Sequence, residues 1–206
     1  MIRLSTLVLL FALVPHQSSA LSIAIAGCSQ STTAWAGWAN DDTRPWDWNG
    51  LGYGGGNIAE WHRELHFQPG QPRHFWDRFD QNMTESQPAD IIWFQVCVNN
   101  NSPVTLSQLG KVMREFKEKI PGVEIYLSPL ADWVDPSGCT KQDILSSNLL
   151  VDAAVASGRV LRGPDLPVVQ PDWPINDCHV GPVGRTAFGR ALKGWSGWPS
   201  ETLEAD

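Results

Sequence analysis

Positive charge is scarce in this sequence. Lys and Arg together number 15 against 22 Asp and Glu, which gives a formal net charge of -7, and no stretch gathers the cations into a cluster. A polyanion is bound through a local basic footprint, so the balance weighs against nucleic acid as a partner. Cysteine is sparse as well. The four, Cys28, Cys97, Cys139 and Cys178, show no Cys-x-x-Cys spacing, which speaks against a zinc cluster. Beyond the first twenty residues no run is long and apolar enough to span a bilayer as a helix. The glycine-rich stretch "GYGGGN" lacks the lysine of a phosphate-binding P-loop. No internal repeat and no low-complexity linker interrupts the chain, and no residue set implies a metal or an organic cofactor.

What is present starts with a targeting pattern. Arg3 precedes the short apolar run Leu4–Val14, and "PHQSSA" follows, with the small residues Ser18 and Ala20 suited to signal-peptidase cleavage. Residues 1–20 are therefore expected to be a signal peptide, residues 21–206 a single domain, and the product a secreted or periplasmic protein. A chain of 206 residues with 42% hydrophobic composition can bury a core of ordinary size. In an oxidising compartment four cysteines suggest two disulfides, for which three pairings exist. Asn82-Met83-Thr84 and Asn100-Asn101-Ser102 fit the N-glycosylation pattern, which matters only in a host that glycosylates its exports.

Along the chain, apolar runs alternate with helical patterns. "LSIAIAG" predicts a first strand, "DIIWFQVCVNN" the strongest one, and "PGVEIYLSPLADW" a third entered through a Pro-Gly turn; "GRVLRGPDL" is weaker. Leu106, Leu109, Met113, Phe116 and Ile120 recur at three- and four-residue spacing, which predicts an amphipathic helix. "KQDILSSNLLVDAAVAS" and "GPVGRTAFGRALKGW" read as two more. The stretch 39–56 is the least regular, and its strand is hard to place. Such alternation predicts an α/β fold with a parallel sheet and helices on both faces. Ligands in such folds bind at the carboxyl ends of the strands, so the residues there carry the functional reading.

The first strand is followed by Gly27-Cys28-Ser29-Gln30-Ser31, the strong strand by Cys97-Val98-Asn99-Asn100, and the last helix is preceded by Asn176-Asp177-Cys178-His179. A serine at a strand-to-helix turn is a candidate nucleophile, a histidine its usual base, and backbone N–H groups with an Asn amide can hold an oxyanion. Together with Leu51-Gly52-Tyr53-Gly54-Gly55, these blocks occur in an order that resembles the SGNH hydrolases, the GDSL esterase/lipase family. The resemblance spans Leu21 to about Trp195. It implies a flavodoxin-like three-layer α/β/α sandwich of about five strands in the order 2-1-3-4-5, and acyl-ester hydrolysis. It further implies Ser29 as nucleophile, His179 as base, and an oxyanion hole built from the Ser29 and Gly52 N–H groups and the Asn99 side chain.

Three positions depart from the family pattern. Cys28 stands where the first block has Asp, and Cys97 where the third has Gly. In the implied strand order both lie at neighbouring carboxyl ends, so the resemblance implies a Cys28–Cys97 disulfide and leaves Cys139 to pair with Cys178. The third departure is Asn176, in the place of the acid that orients the histidine; Asp177 or Asp172 are alternative sources of a carboxylate.

Other readings compete for the same residues. Cys28, His179 and Asn176 spell a cysteine-protease-like set, and Ile25-Ala26-Gly27-Cys28 fits a lipobox; the first needs a free exported thiol, the second would remove the first strand. His62 and His66, four apart, could chelate a metal on a helix, but no third ligand is evident and a solvated face is expected. Of eleven Trp, Trp93 is expected in the core, and Trp195 and Trp198 are expected to clamp the last helix. Trp35, Trp38, Trp46 and Trp48 suit either a sugar-binding border or packing beneath a loop-rich region. The expectation is thus a secreted serine esterase that removes an acyl group, acetyl, from a carbohydrate. It would act on a small-molecule or glycan ester as a monomer, without nucleic acid or membrane span. A non-catalytic glycan-binding module, an acyltransferase and a lipase are the alternatives.

Overall fold

The structure, a computed structural model, describes residues 22–39, 48–53, 56–85, 89–99, 102–134, 140–176 and 179–199. Strand β1 (Ile23–Gly27) and strand β3 (Ile91–Gln95) are buried at every residue. That is why each reads as a continuous apolar run and not an alternating one: strands of a sheet covered on both faces need apolar side chains on both. β1 pairs in parallel with β3 and with β2 (Trp48–Tyr53). β3 pairs in parallel with β4 (Glu124–Ser128), and β4 with the two-residue β5 (Leu161–Arg162). The fold is therefore α/β around a parallel sheet.

Side chains alternate between two cores. Ala24, Ala26, Ile92, Phe94, Ile125 and Leu127 point to one, under α2 (Ile58–Glu64), α3 (His74–Glu85), α4 (Leu106–Lys119) and part of α5 (Lys141–Ala156). Ile23, Ile25, Ile91, Trp93 and Tyr126 point to the other, under α1 (Ser29–Ala39) and α6 (Pro182–Gly194). A short antiparallel hairpin, β6 (Pro174–Asn176) with β7 (His179–Val180), precedes α6.

Local chemistry sets the helix boundaries. Thr105 and Gln108 form a capping box at the start of α4, and Leu109, Val112, Met113 and Phe116 form its buried stripe. Asn57 and Glu60 form another at the start of α2. This helix follows the glycine-rich stretch, where the sequence pattern indicated none: seven residues are too few to show a period, and the capping box was the legible signal. At its end the buried Glu64 carboxylate accepts the N–H groups of Phe75 (2.8 Å) and Trp76 (3.3 Å), capping α3.

Trp93 is fully buried and donates its indole N–H to Ser128 Oγ at 2.7 Å. Trp198 donates to the Leu192 carbonyl at 2.8 Å and stacks edge-on with Trp195 and Tyr126, which clamps the end of α6. The expectation of a solvated face for the histidine pair needs correcting at His62. That ring is buried, because α2 turns it inward beside Trp61 and Glu64. Burial, with His66 and Lys111 nearby, lowers its pKa below the usual histidine range. No helix among the described residues is long and apolar enough to cross a membrane.

Candidate active site

The carboxyl end of β1 is where the chain is most tightly constrained. Gly27 has φ +124°, and a Cβ there would lie 2.4 Å from the Gln95 carbonyl oxygen of β3, so this position admits only glycine. The Cys28 carbonyl then accepts the Ser31 N–H at 3.0 Å and the Ser31 hydroxyl at 2.6 Å. Cys28 thereby caps α1, and Ser29 is the first helical residue, half-buried at the positive end of the helix dipole.

Cys28 and Cys97 form a disulfide, with Cα atoms 5.8 Å apart, as the paired departures from the family pattern implied. The segment after β3 is held from other sides too. Ile58 donates its N–H to the Cys97 carbonyl at 3.0 Å, and Val96 donates to the Ser128 carbonyl at 2.8 Å. Asn99, two residues beyond Cys97, is exposed and bridges to Ser102, whose N–H its carbonyl accepts at 2.7 Å. Gly52 lies within β2, opposite Ile25 of β1.

Beneath Ser29 lies a polar pair that motif reading passed over. Gln95, fully buried at the end of β3, donates its amide to Gln30 Oε1 at 2.9 Å and to the Pro129 carbonyl at 3.3 Å. Gln30 Oε1 also accepts the Ala131 N–H at 3.2 Å. The first turn of α1 is thus tied to β3 and to the chain leaving β4. A buried glutamine in an otherwise apolar strand, "IIWFQ", was the available signal, since such a side chain must find partners.

His179 arrives from the far end of the sequence. It is half-buried on β7, and its partner across the β6–β7 ladder is Asn176. The Gly181 N–H donates to the Trp173 carbonyl at 2.6 Å and closes the hairpin. β7 packs against both α1 and α6, and Val180 joins the same core as Cys28, Ala34 and Trp38. The histidine strand is therefore seated on the helix that begins with Ser29. Among the described residues no hydrogen bond joins the Ser29 and His179 side chains; such contacts are commonly loose before substrate draws them together. Asp172 is exposed.

Of the tryptophans offered for a sugar border, Trp38 belongs to the core and Trp35 packs half-buried against it. Cys139, Asp177, Cys178, Trp46, Gly54 and Gly55, with the side chains of Asn176 and Trp48, lie outside the described residues. His62 and His66 bring their Nε2 atoms to 3.4 Å, but no group of three or more metal-ligating side chains occurs among the described residues. No family model matches the chain, and no curated protein matches it.

Proposed function

We propose that this chain is a secreted SGNH-type serine esterase on a flavodoxin-like three-layer sandwich with strand order 2-1-3-4-5. Its reaction is the hydrolysis of an acyl ester, acetyl on a carbohydrate. The observation that carries the reading is the seating of the His179 strand on the helix whose first residue is Ser29, with Asn99 exposed just beyond the cross-linked Cys97. A nucleophile, a base and an amide donor thus come from three distant parts of the sequence and lie on or beside packed elements.

In this mechanism His179 takes the Ser29 hydroxyl proton, and Oγ attacks the ester carbonyl carbon. The Ser29 and Gly52 N–H groups and the Asn99 amide hold the tetrahedral oxyanion; one such donor is worth about 3–4 kcal/mol in the transition state. Collapse expels the alcohol, which takes its proton from His179. Water, activated by the same histidine, then releases the carboxylic acid and restores the serine. Asn176 accepts the second ring N–H of His179 and fixes its tautomer. The acetyl and sugar assignments rest on the small chain and on Trp35 and its neighbours, with Trp38 no longer among them.

The position of Asn176 favours one second reading, a glycan-binding module that has lost catalysis. Hydrolysis of p-nitrophenyl acetate separates the two. Ser29→Ala and His179→Ala are each expected to lower kcat/KM by about 1000-fold or more. Equal rates for the parent and Ser29→Ala proteins would sink the esterase reading.

A further inference from the structure

A glycine in the middle of a helix costs about 1 kcal/mol relative to alanine. Gly37 and Gly189 each repay that by close approach of another backbone. Gly110, in the middle of α4, does not: its φ is not positive, and a Cβ there would meet nothing within 4 Å. What its missing side chain does is open a groove of about 580 Å³ between α4 and the end of α5. That volume is within the range small ligands occupy.

The groove is graded along its length. Leu106, Gly110 and Met113 line one end, with Leu106 42% exposed although apolar. Arg114, Lys117 and Arg159 line the other. No carboxylate among the described residues forms an ion pair with any of these three cations. Lys117 donates one N–H to the Arg159 carbonyl at 2.7 Å, which holds the two basic residues together. Glu124 lines the adjoining hollow, where its carboxylate accepts the Tyr126 hydroxyl at 3.1 Å. In a chain of net charge -7 this is a local reversal of sign. Leu106 and Lys117 are separated by about 16 Å along the helix axis, at 1.5 Å per residue.

We propose that this groove binds a single-chain aliphatic carboxylate, its tail along Leu106, Gly110 and Met113 and its head on the cationic end. Guanidinium groups match carboxylates in a two-point geometry, which suits Arg114 and Arg159 to the head. Ser29, Gly52, Asn99 and His179 take no part in the groove, so the inference stands apart from the esterase reading.

The test is isothermal titration of the full chain with decanoate, kept below self-association, beside butyrate and decyltrimethylammonium. Decanoate is expected to saturate one site per chain, with the other two binding at least about 10-fold more weakly. Gly110→Leu fills the groove with a helix-favouring side chain, so its Tm should hold or rise while decanoate binding weakens by about 10-fold or more. The double variant Arg114→Gln/Arg159→Gln should weaken binding similarly, and it decides the matter if Gly110→Leu fails to fold. Ser29→Ala should bind as the parent does. The proposal is overturned if the parent shows no saturable binding, if the cationic amphiphile binds equally, or if the folded groove variants bind undiminished. Loss of binding in Ser29→Ala would move the ligand to the other site. Self-association abolished by Gly110→Leu would assign the groove to a second copy of the chain.

Discussion

A histidine base works when an acceptor holds its second ring nitrogen, and the residue across the ladder from His179 is Asn176. An amide oxygen can fix the tautomer, but it cannot balance the positive charge that His179 would gain, in the proposed reaction, on taking the Ser29 proton. Exchanging a carboxylate for an amide at this place in a serine hydrolase costs about 10⁴-fold in kcat. The reverse exchange should recover part of that. Asn176→Asp is expected to raise kcat toward p-nitrophenyl acetate by about 10-fold or more with little change in KM, because the added interaction exists only once the imidazolium forms. Asn176→Ala should fall below the parent. Steady-state kinetics on the three proteins decide it, and an Asn176→Asp rate at or below the parent's would remove this residue from the histidine's surroundings.

Among elements, the closest approach joins α1 to α6. A Cβ on Gly37 would lie 1.9 Å from the Arg185 carbonyl oxygen, and one on Gly189 would lie 2.2 Å from the Gly37 carbonyl carbon. The two helices pack backbone to backbone, and α1 begins with Ser29 while α6 follows directly on the His179 hairpin. Gly189→Ala must push them apart, at a cost of about 1–3 kcal/mol. Its Tm should fall, whereas Gly110→Ala, whose Cβ enters open space, should leave Tm unchanged or raise it. Thermal denaturation of the pair makes the comparison, and a Gly189→Ala protein as stable as Gly110→Ala would contradict the packing described.

Sequence pattern made the central elements legible for a related reason. β1, β3 and β4 are buried on both faces, and α4 carries a clean apolar stripe, so burial wrote itself into the residue order. α1 did not announce itself, because its first five residues, Ser29 to Thr33, are polar and the rest, Ala34 to Ala39, alternate small residues with Trp35 and Trp38, so no apolar stripe of helical period shows. β2 lies in a glycine-rich stretch with little strand character, and its placement comes from pairing with β1, a tertiary effect that no local window contains. The site residues were nameable because each follows a strand or precedes a helix. The Gln30–Gln95 support was legible only by half: Gln95 stands out in its apolar strand, but a partner 65 residues away has no sequence signature.

For the molecule as a whole, the Cys28–Cys97 link joins positions 69 residues apart. Both of its ends touch the candidate site: Cys28 precedes Ser29, and Cys97 is two residues before Asn99. Closing a loop of this length removes about 4 kcal/mol of unfolded-chain entropy. In a domain of this size each kcal/mol moves Tm by about 2–4 °C, so losing the link should lower Tm by roughly 10 °C. A reductant would also act on any bond between Cys139 and Cys178, so dithiothreitol alone does not isolate this one, and the double variant Cys28→Ser/Cys97→Ser does. If the link also holds Ser29 and Asn99 in register, the double variant should lose esterase rate at temperatures well below its own Tm. Stability and rate then separate two roles. A fall in Tm with kcat intact would leave the disulfide a brace of the fold only, and an unchanged Tm would show that the β1–β3 ladder and the Gln95–Gln30 hydrogen bond hold this end of the sheet together without it.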